Sequence, residues 1–197
     1  MNISILLPYK ENFSPEYAGA VSIFINAITK KSLFKNDITI FGSTKYKVKL
    51  SKNYVNIPLS KKLLKSQSKD YVEKFKLFNN KKNADIIEIH NRPNYIKHLF
   101  SLKTKLILYF HNDPLTMNGS KNVKDRLFLL NNIDKILFNS KWSQKRFFIN
   151  IENENLLKQK TSVCYQSISR VPVDFNKKRK IISFVGKLNT AKGYDLF

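Results

Sequence analysis

ADIIEIHNRPNYIKHLFSLKTKLILYFHNDP, residues 84–114, decides the fold. Two short apolar runs, 85–89 and 106–110, each stop at a histidine, His90 and His111. Near-continuous Ile and Leu over about five residues is the pattern of a strand buried on both faces. Between the runs, Pro93 opens a loop and residues 95–100 carry a short helical pattern. Strand, helix and strand in that order make a βαβ unit, whose two strands run parallel. Ligands bind open α/β sheets outside the carboxyl ends of the strands. His90 and His111 therefore stand where binding chemistry is expected.

The same alternation extends both ways. Strands are expected at 3–7, 37–41, 54–57, 135–138 and 162–165, and helices at 20–29, 61–82, 123–130 and 141–149. The fold class is α/β, a Rossmann-like, mainly parallel sheet with helices on both faces. Residues 1–170 read as one domain and the basic stretch 171–180 as a linker. A fresh strand at 181–185 and a loop at 186–193 then open a second domain, 181–197. A strand, a loop and one helical turn cannot form a core alone, so this last part reads as the truncated start of a larger domain.

The chain has 197 residues, 42% of them hydrophobic, and a formal charge of +22. No run approaches the roughly 20 apolar residues of a membrane span, and the N-terminus lacks the basic start and cleavage site of a signal peptide. The single cysteine, Cys164, excludes an internal disulfide and reads as a half-buried strand residue. Three histidines and one cysteine without ligand spacing argue against a structural metal site. The charge comes mostly from lysine mixed with asparagine, a bias that AT-rich coding also produces. Arginine, which nucleic-acid readers favour for bidentate contacts, is scarce, so nucleic acid is not the expected partner. An anionic membrane is the better functional account. Residues 60–82 carry eight lysines against Asp70 and Glu73, with Tyr71, Phe75 and Phe78 on one helical face. That face is either a membrane-binding face or the core face of an ordinary helix.

SFVGKLNTAKGYDLF, residues 183–197, is the sharpest motif. A strand leads to Gly186, a loop with Lys187 and Lys192, and Gly193 at a helix start. Cations at a helix N-terminus suit a diphosphate; an ordinary βα turn with solvated lysines has the same spacing. The segment resembles the start of the donor domain in family 4 of the retaining GT-B glycosyltransferases, which carry Gly-Arg-Leu, three residues and Lys-Gly. Here the positions are Gly186, Lys187, Leu188 and, after three residues, Lys192 and Gly193, with lysine in place of arginine at 187. The resemblance runs upstream through the loop 8–20 closing on Gly19, the strand ending at His90 and Asn91, the strand ending at His111, and KILFNSKW (135–142) with Asn139 and Ser140. It weakens at 166–174, QSISRVPVD, where the family's Asn-Gly is missing. The first loop is not a Gly-x-Gly-x-x-Gly fingerprint, so no dinucleotide cofactor is supported.

What the resemblance implies is the N-terminal, acceptor-side half of a GT-B fold. The activity it implies is transfer of a sugar, with retention, from a nucleotide diphosphate sugar to a glycan or lipid-linked acceptor in cell-surface polysaccharide or lipopolysaccharide synthesis. The nucleotide sugar is a co-substrate, and no cofactor or metal is expected. By the same resemblance His111 contacts the transferred sugar as the catalytic residue. Gly19, Lys187 and Lys192 hold the donor diphosphate, and His90, Asn91, Asn139 and Ser140 line the acceptor cleft. The expected location is the cytoplasm, peripheral on the inner face of the membrane, and the half-site is expected to be inactive alone. The rival reading is a non-catalytic basic Rossmann-like module for anionic lipid or nucleic acid.

Overall fold

The computed structural model describes residues 1–59, 66–167, 172, 181–184, 190 and 193–196. The chain divides into two units, Met1–Ser167 and Ile168–Phe197.

The first unit is built on a seven-stranded sheet whose strands all run parallel. The strands are β1 (Ile3–Leu6), β2 (Ile38–Gly42), β3 (Tyr54–Asn56), β4 (Ile86–His90), β5 (Lys105–Phe110), β6 (Lys135–Phe138) and β7 (Thr161–Val163). Their order across the sheet is β3-β2-β1-β4-β5-β6-β7. The chain winds outward from β1 to one edge, returns to the middle, and winds from β4 to the other edge. The reversal leaves a crevice at the carboxyl ends of β1 and β4, the usual ligand position in such sheets.

Alternate residues of each strand face opposite layers. Ile5, Leu7, Ile38 and Ile40 meet Val21 and Ile25 of α1 (Ala20–Lys31). On the other face Leu6, Phe41, Ile87, Ile89, Leu108, Phe110 and Phe138 join the larger core. That core is closed by α2 (Gln67–Asn80), α3 (Ile96–Leu99), α4 (Val123–Asn132), α5 (Lys141–Phe148) and α6 (Glu154–Lys160). Helices therefore cover both faces.

Three local outcomes differ from the sequence reading. α6 was not expected, because its only apolar pair, Leu156 and Leu157, makes no stripe. Asn153 caps it by accepting from the Leu156 amide at 3.0 Å. Residues 95–100 begin as a 3-10 turn, Pro93–Tyr95, before α3. Residues 181–184, expected as a strand, carry no regular structure; a strand needs a neighbour for its hydrogen bonds. Elsewhere in this second unit Tyr194–Leu196 forms a 3-10 turn.

The aromatic stripe of α2 faces the core. Tyr71 and Phe75 are fully buried, and Phe78 packs partly buried against the same cluster. The stripe is thus unavailable to a membrane, and what remains is the lysine-bearing surface with the exposed Leu77. Lys61, Lys62 and Lys65 lie outside the described residues. No helix among the described residues is long and apolar enough to cross a membrane.

Candidate functional site

β4 and β5 run side by side in register, with His90 opposite Tyr109. Residues two apart share a face of a strand, so Glu88 and His90 line up on β4 while Tyr109 and His111 line up on and just beyond β5. The sequence placed two histidines at strand ends; the register brings them together. His90 Nδ1 and His111 Nε2 are 2.8 Å apart. Tyr109 stacks beside both rings, and Phe24 of α1 meets the His111 ring edge-on at 5.4 Å.

The proton positions follow from the partners. Gln166 Nε2, which can only donate, lies 2.6 Å from His111 Nδ1. His111 therefore accepts at Nδ1, carries its proton on Nε2, and donates to His90 Nδ1. His90 then carries its proton on Nε2, and Glu88 Oε1 lies 2.7 Å from that atom. This last approach is close but poorly aligned, and His90 Nε2 makes no hydrogen bond of good geometry. Its attraction to Glu88 is electrostatic. Burial first, and the neighbouring His90 second, hold the His111 pKa down at about 3. His111 is a neutral ring at physiological pH and a weak base. It is suited to orienting a hydroxyl rather than removing its proton.

The other expected cleft residues hold this pair in place. Asn91 follows β4 with φ 55, a left-handed conformation asparagine tolerates. Its Oδ1 accepts from the amides of His111 (3.1 Å) and Asn112 (3.3 Å), tying the ends of β4 and β5 together. Asn139 donates from Nδ2 to the His111 carbonyl at 2.8 Å, tying β6 to β5. Ser140 is the N-cap of α5, its Oγ accepting from Ser143 N at 3.2 Å. His90 is fully buried, so it acts on a ligand only through His111. Tyr109 donates from its hydroxyl to the Cys164 carbonyl, and burial pushes its pKa up. Cys164, expected to be half-buried, is exposed.

Gly19 is the N-cap residue of α1, and no side chain of its own caps the helix. The carboxylate of Glu11 does so instead, Oε1 accepting from Ser22 N at 3.0 Å. The place where a donor diphosphate was expected is thus filled by an anion of the same chain. Lys187 and Lys192, expected on that diphosphate, lie outside the described residues.

Sequence reasoning missed Glu88, Tyr109, Glu11 and Gln166. For Glu88 a signal was present, a lone acid in the apolar strand IIEIH two residues before His90. For Gln166, 55 residues from His111, there was none. Among the described residues no three His, Cys, Asp or Glu side chains converge as metal ligands.

The sequence matches no protein-family model and none of the curated proteins. The fold does match solved structures. Anabaena HepE in complex with UDP-glucose superposes with a TM-score of 0.58 at 14% identity, over 84% of this chain and 44% of that one. Sucrose-phosphate synthase from Thermosynechococcus elongatus does so with a TM-score of 0.54 at 12% identity, over 84% and 48%. The chain spans less than half the length of either protein. Its architecture is that of an N-terminal GT-B-like, Rossmann-like domain.

Proposed function

We propose that this chain is the acceptor-side half of a glycosyltransferase that uses a nucleotide diphosphate sugar. The observation that carries the reading is the His90–His111 pair, held at the carboxyl edge of β4 and β5 beside the crevice where the strand order reverses. Similarity of fold to a protein crystallised with UDP-glucose supports it. In this reading Gln166 leaves His111 Nδ1, and the ring then accepts a hydrogen bond at Nδ1 from a hydroxyl of the donor sugar. A ring with a pKa of about 3 makes a poor general base. That suits retention, where the departing diphosphate can take the acceptor's proton. Lys187 and Lys192 bind the donor diphosphate. The acceptor is a glycan or lipid-linked sugar of the cell surface, and the enzyme works in the cytoplasm at the inner face of the membrane. The lysines of residues 60–82 meet anionic lipid there, mainly through charge.

The test uses the longest protein that carries this chain. His111→Ala should lower turnover of the nucleotide sugar more than it weakens nucleotide binding. Lys192→Ala should weaken binding by about 1.5–3 kcal/mol, the value of a charge-assisted hydrogen bond. Nucleotide affinity untouched by Lys192→Ala, together with turnover untouched by His111→Ala, rejects these roles, and absence of nucleotide-sugar turnover in the unmutated protein favours a non-catalytic module.

A further inference from the structure

Beyond Asn91 the crevice widens into a cavity of about 660 Å³. It is bounded by the loop after β1, the turn after β4, the start of α2 and the loop after β5. Its lining includes Asn112, Asn94 and Ser68, with Asn94 Nδ2 donating to Ser68 Oγ at 3.2 Å, and Tyr9. Three cations, Lys10, Arg92 and Lys121, reach it from three separate loops, and no carboxylate among the described residues lines it. In a chain with 36 basic and 14 acidic residues, unpaired lysines are common. What sets these three apart is that they meet at one cavity.

None of the three is in an ion pair with a carboxylate among the described residues. Asp113 and Asp125, the acids nearest in sequence to Lys121, are engaged elsewhere, with Arg146 and Lys97. Arg92 is oriented by its own neighbour, Nη1 donating to the Asn91 carbonyl at 2.7 Å. Its planar fork keeps further N–H groups for a bidentate oxyanion. The backbone around it is fixed as well. Tyr95 accepts from Tyr9 N at 3.0 Å, holding the first loop against the turn that follows β4. On the far wall Arg126, itself buried, donates to the carbonyls of Ser120 and Lys121, which sets the loop bearing Lys121. Like charges gathered in a concave wall repel, and an entering anion relieves that repulsion. The amides and hydroxyls match the hydroxyls of a sugar, and an aromatic face suits a sugar ring.

We infer that this cavity binds an acceptor sugar bearing an oxyanion, a phosphate or carboxylate, with Arg92 and Lys121 as its principal cations. The inference rests on the acceptor-side reading above, and its test needs no sugar transfer. The 197-residue chain is titrated by amide NMR with glucose 6-phosphate, glucuronate, methyl glucoside and inorganic phosphate. The expected result is that at least one anionic sugar shifts the amides of Asn91, Asn94 and Asn112. It should bind at least about tenfold more tightly than methyl glucoside, the factor for one charge-assisted hydrogen bond. Arg92→Gln and Lys121→Gln should each remove about that factor, while Lys52→Gln, outside the cavity, should not. Which anionic sugar binds better tells a phosphate from a carboxylate. Equal binding of the neutral and anionic sugars overturns the inference. So does inorganic phosphate binding as tightly as the anionic sugars and indifferent to Arg92→Gln, since that is a basic surface attracting any anion. If the anionic sugar binds as expected but the longer protein turns over no nucleotide sugar, the site stands and the catalytic reading fails.

Discussion

Acid should unfold this protein partly through one imidazole. His111 has a folded-state pKa of about 3 against an ordinary 6.5, because it is largely buried and faces His90. Protonating it would also set an N–H at Nδ1 against the donating Gln166 amide, 2.6 Å away. Between pH 6.5 and about 3 the unfolded chain binds a proton here that the folded chain refuses, so stability falls as pH falls. The stabilisation is fully present above pH 6.5 and drains away through that window. From pH 7.5 to 4.5, two units below the unfolded value, one group of this kind removes at most about 2.7 kcal/mol. The ring keeps some contact with solvent, so we expect about 2 kcal/mol. The assay is urea unfolding of the wild type and of His111→Gln at both pH values, with m-values checked for a constant denatured state. Carboxylates titrate alike in both proteins, so the difference isolates the ring. His111→Gln should lose about 2 kcal/mol less than wild type on acidification. Parallel losses in the two proteins would refute the claim that His111 is held neutral.

Three further outcomes test the surroundings of the site. A Cβ on Gly19 would lie 2.0 Å from Glu11 Oε1, the mobile end of that side chain, so Gly19→Ala should displace the carboxylate from α1. The cost, about 1 kcal/mol for a lost cap, should appear in thermal unfolding of the wild type and vanish in a Glu11→Ala background. Gly119 has φ +93, and a Cβ there would meet Asn94 N at 2.6 Å. Gly119→Ala should therefore cost about 2–3 kcal/mol in urea unfolding; a loss below about 0.5 kcal/mol would contradict the close packing of that loop on the turn after β4. In long-range proton–nitrogen NMR of the wild type both His90 and His111 should carry their protons on Nε2, and Glu88→Ala should change the His90 pattern first; protons on Nδ1 of both rings in the wild type would reverse the chain of donors.

The periodicity of the strands and helices is local, and the sequence therefore determined the parallel α/β class, the order of elements and the two histidines at strand ends. Apolar runs such as LILYF, residues 106–110, can be read directly because burial acts residue by residue. For residues 60–82 the sequence left the aromatic stripe with two faces it could serve. Only packing decided that Tyr71 and Phe75 belong to the core. Register decided that His90 and His111 are 2.8 Å apart, that Glu88 lies behind them and that Gln166 closes the chain of donors. It decided likewise that Lys10, Arg92 and Lys121 share one cavity. Hydrogen bonds between strands fix which residue stands beside which, and they join residues far apart in the chain. Local patterning carries no record of that pairing, so the placement of residues along strands was legible while their meeting across strands was not.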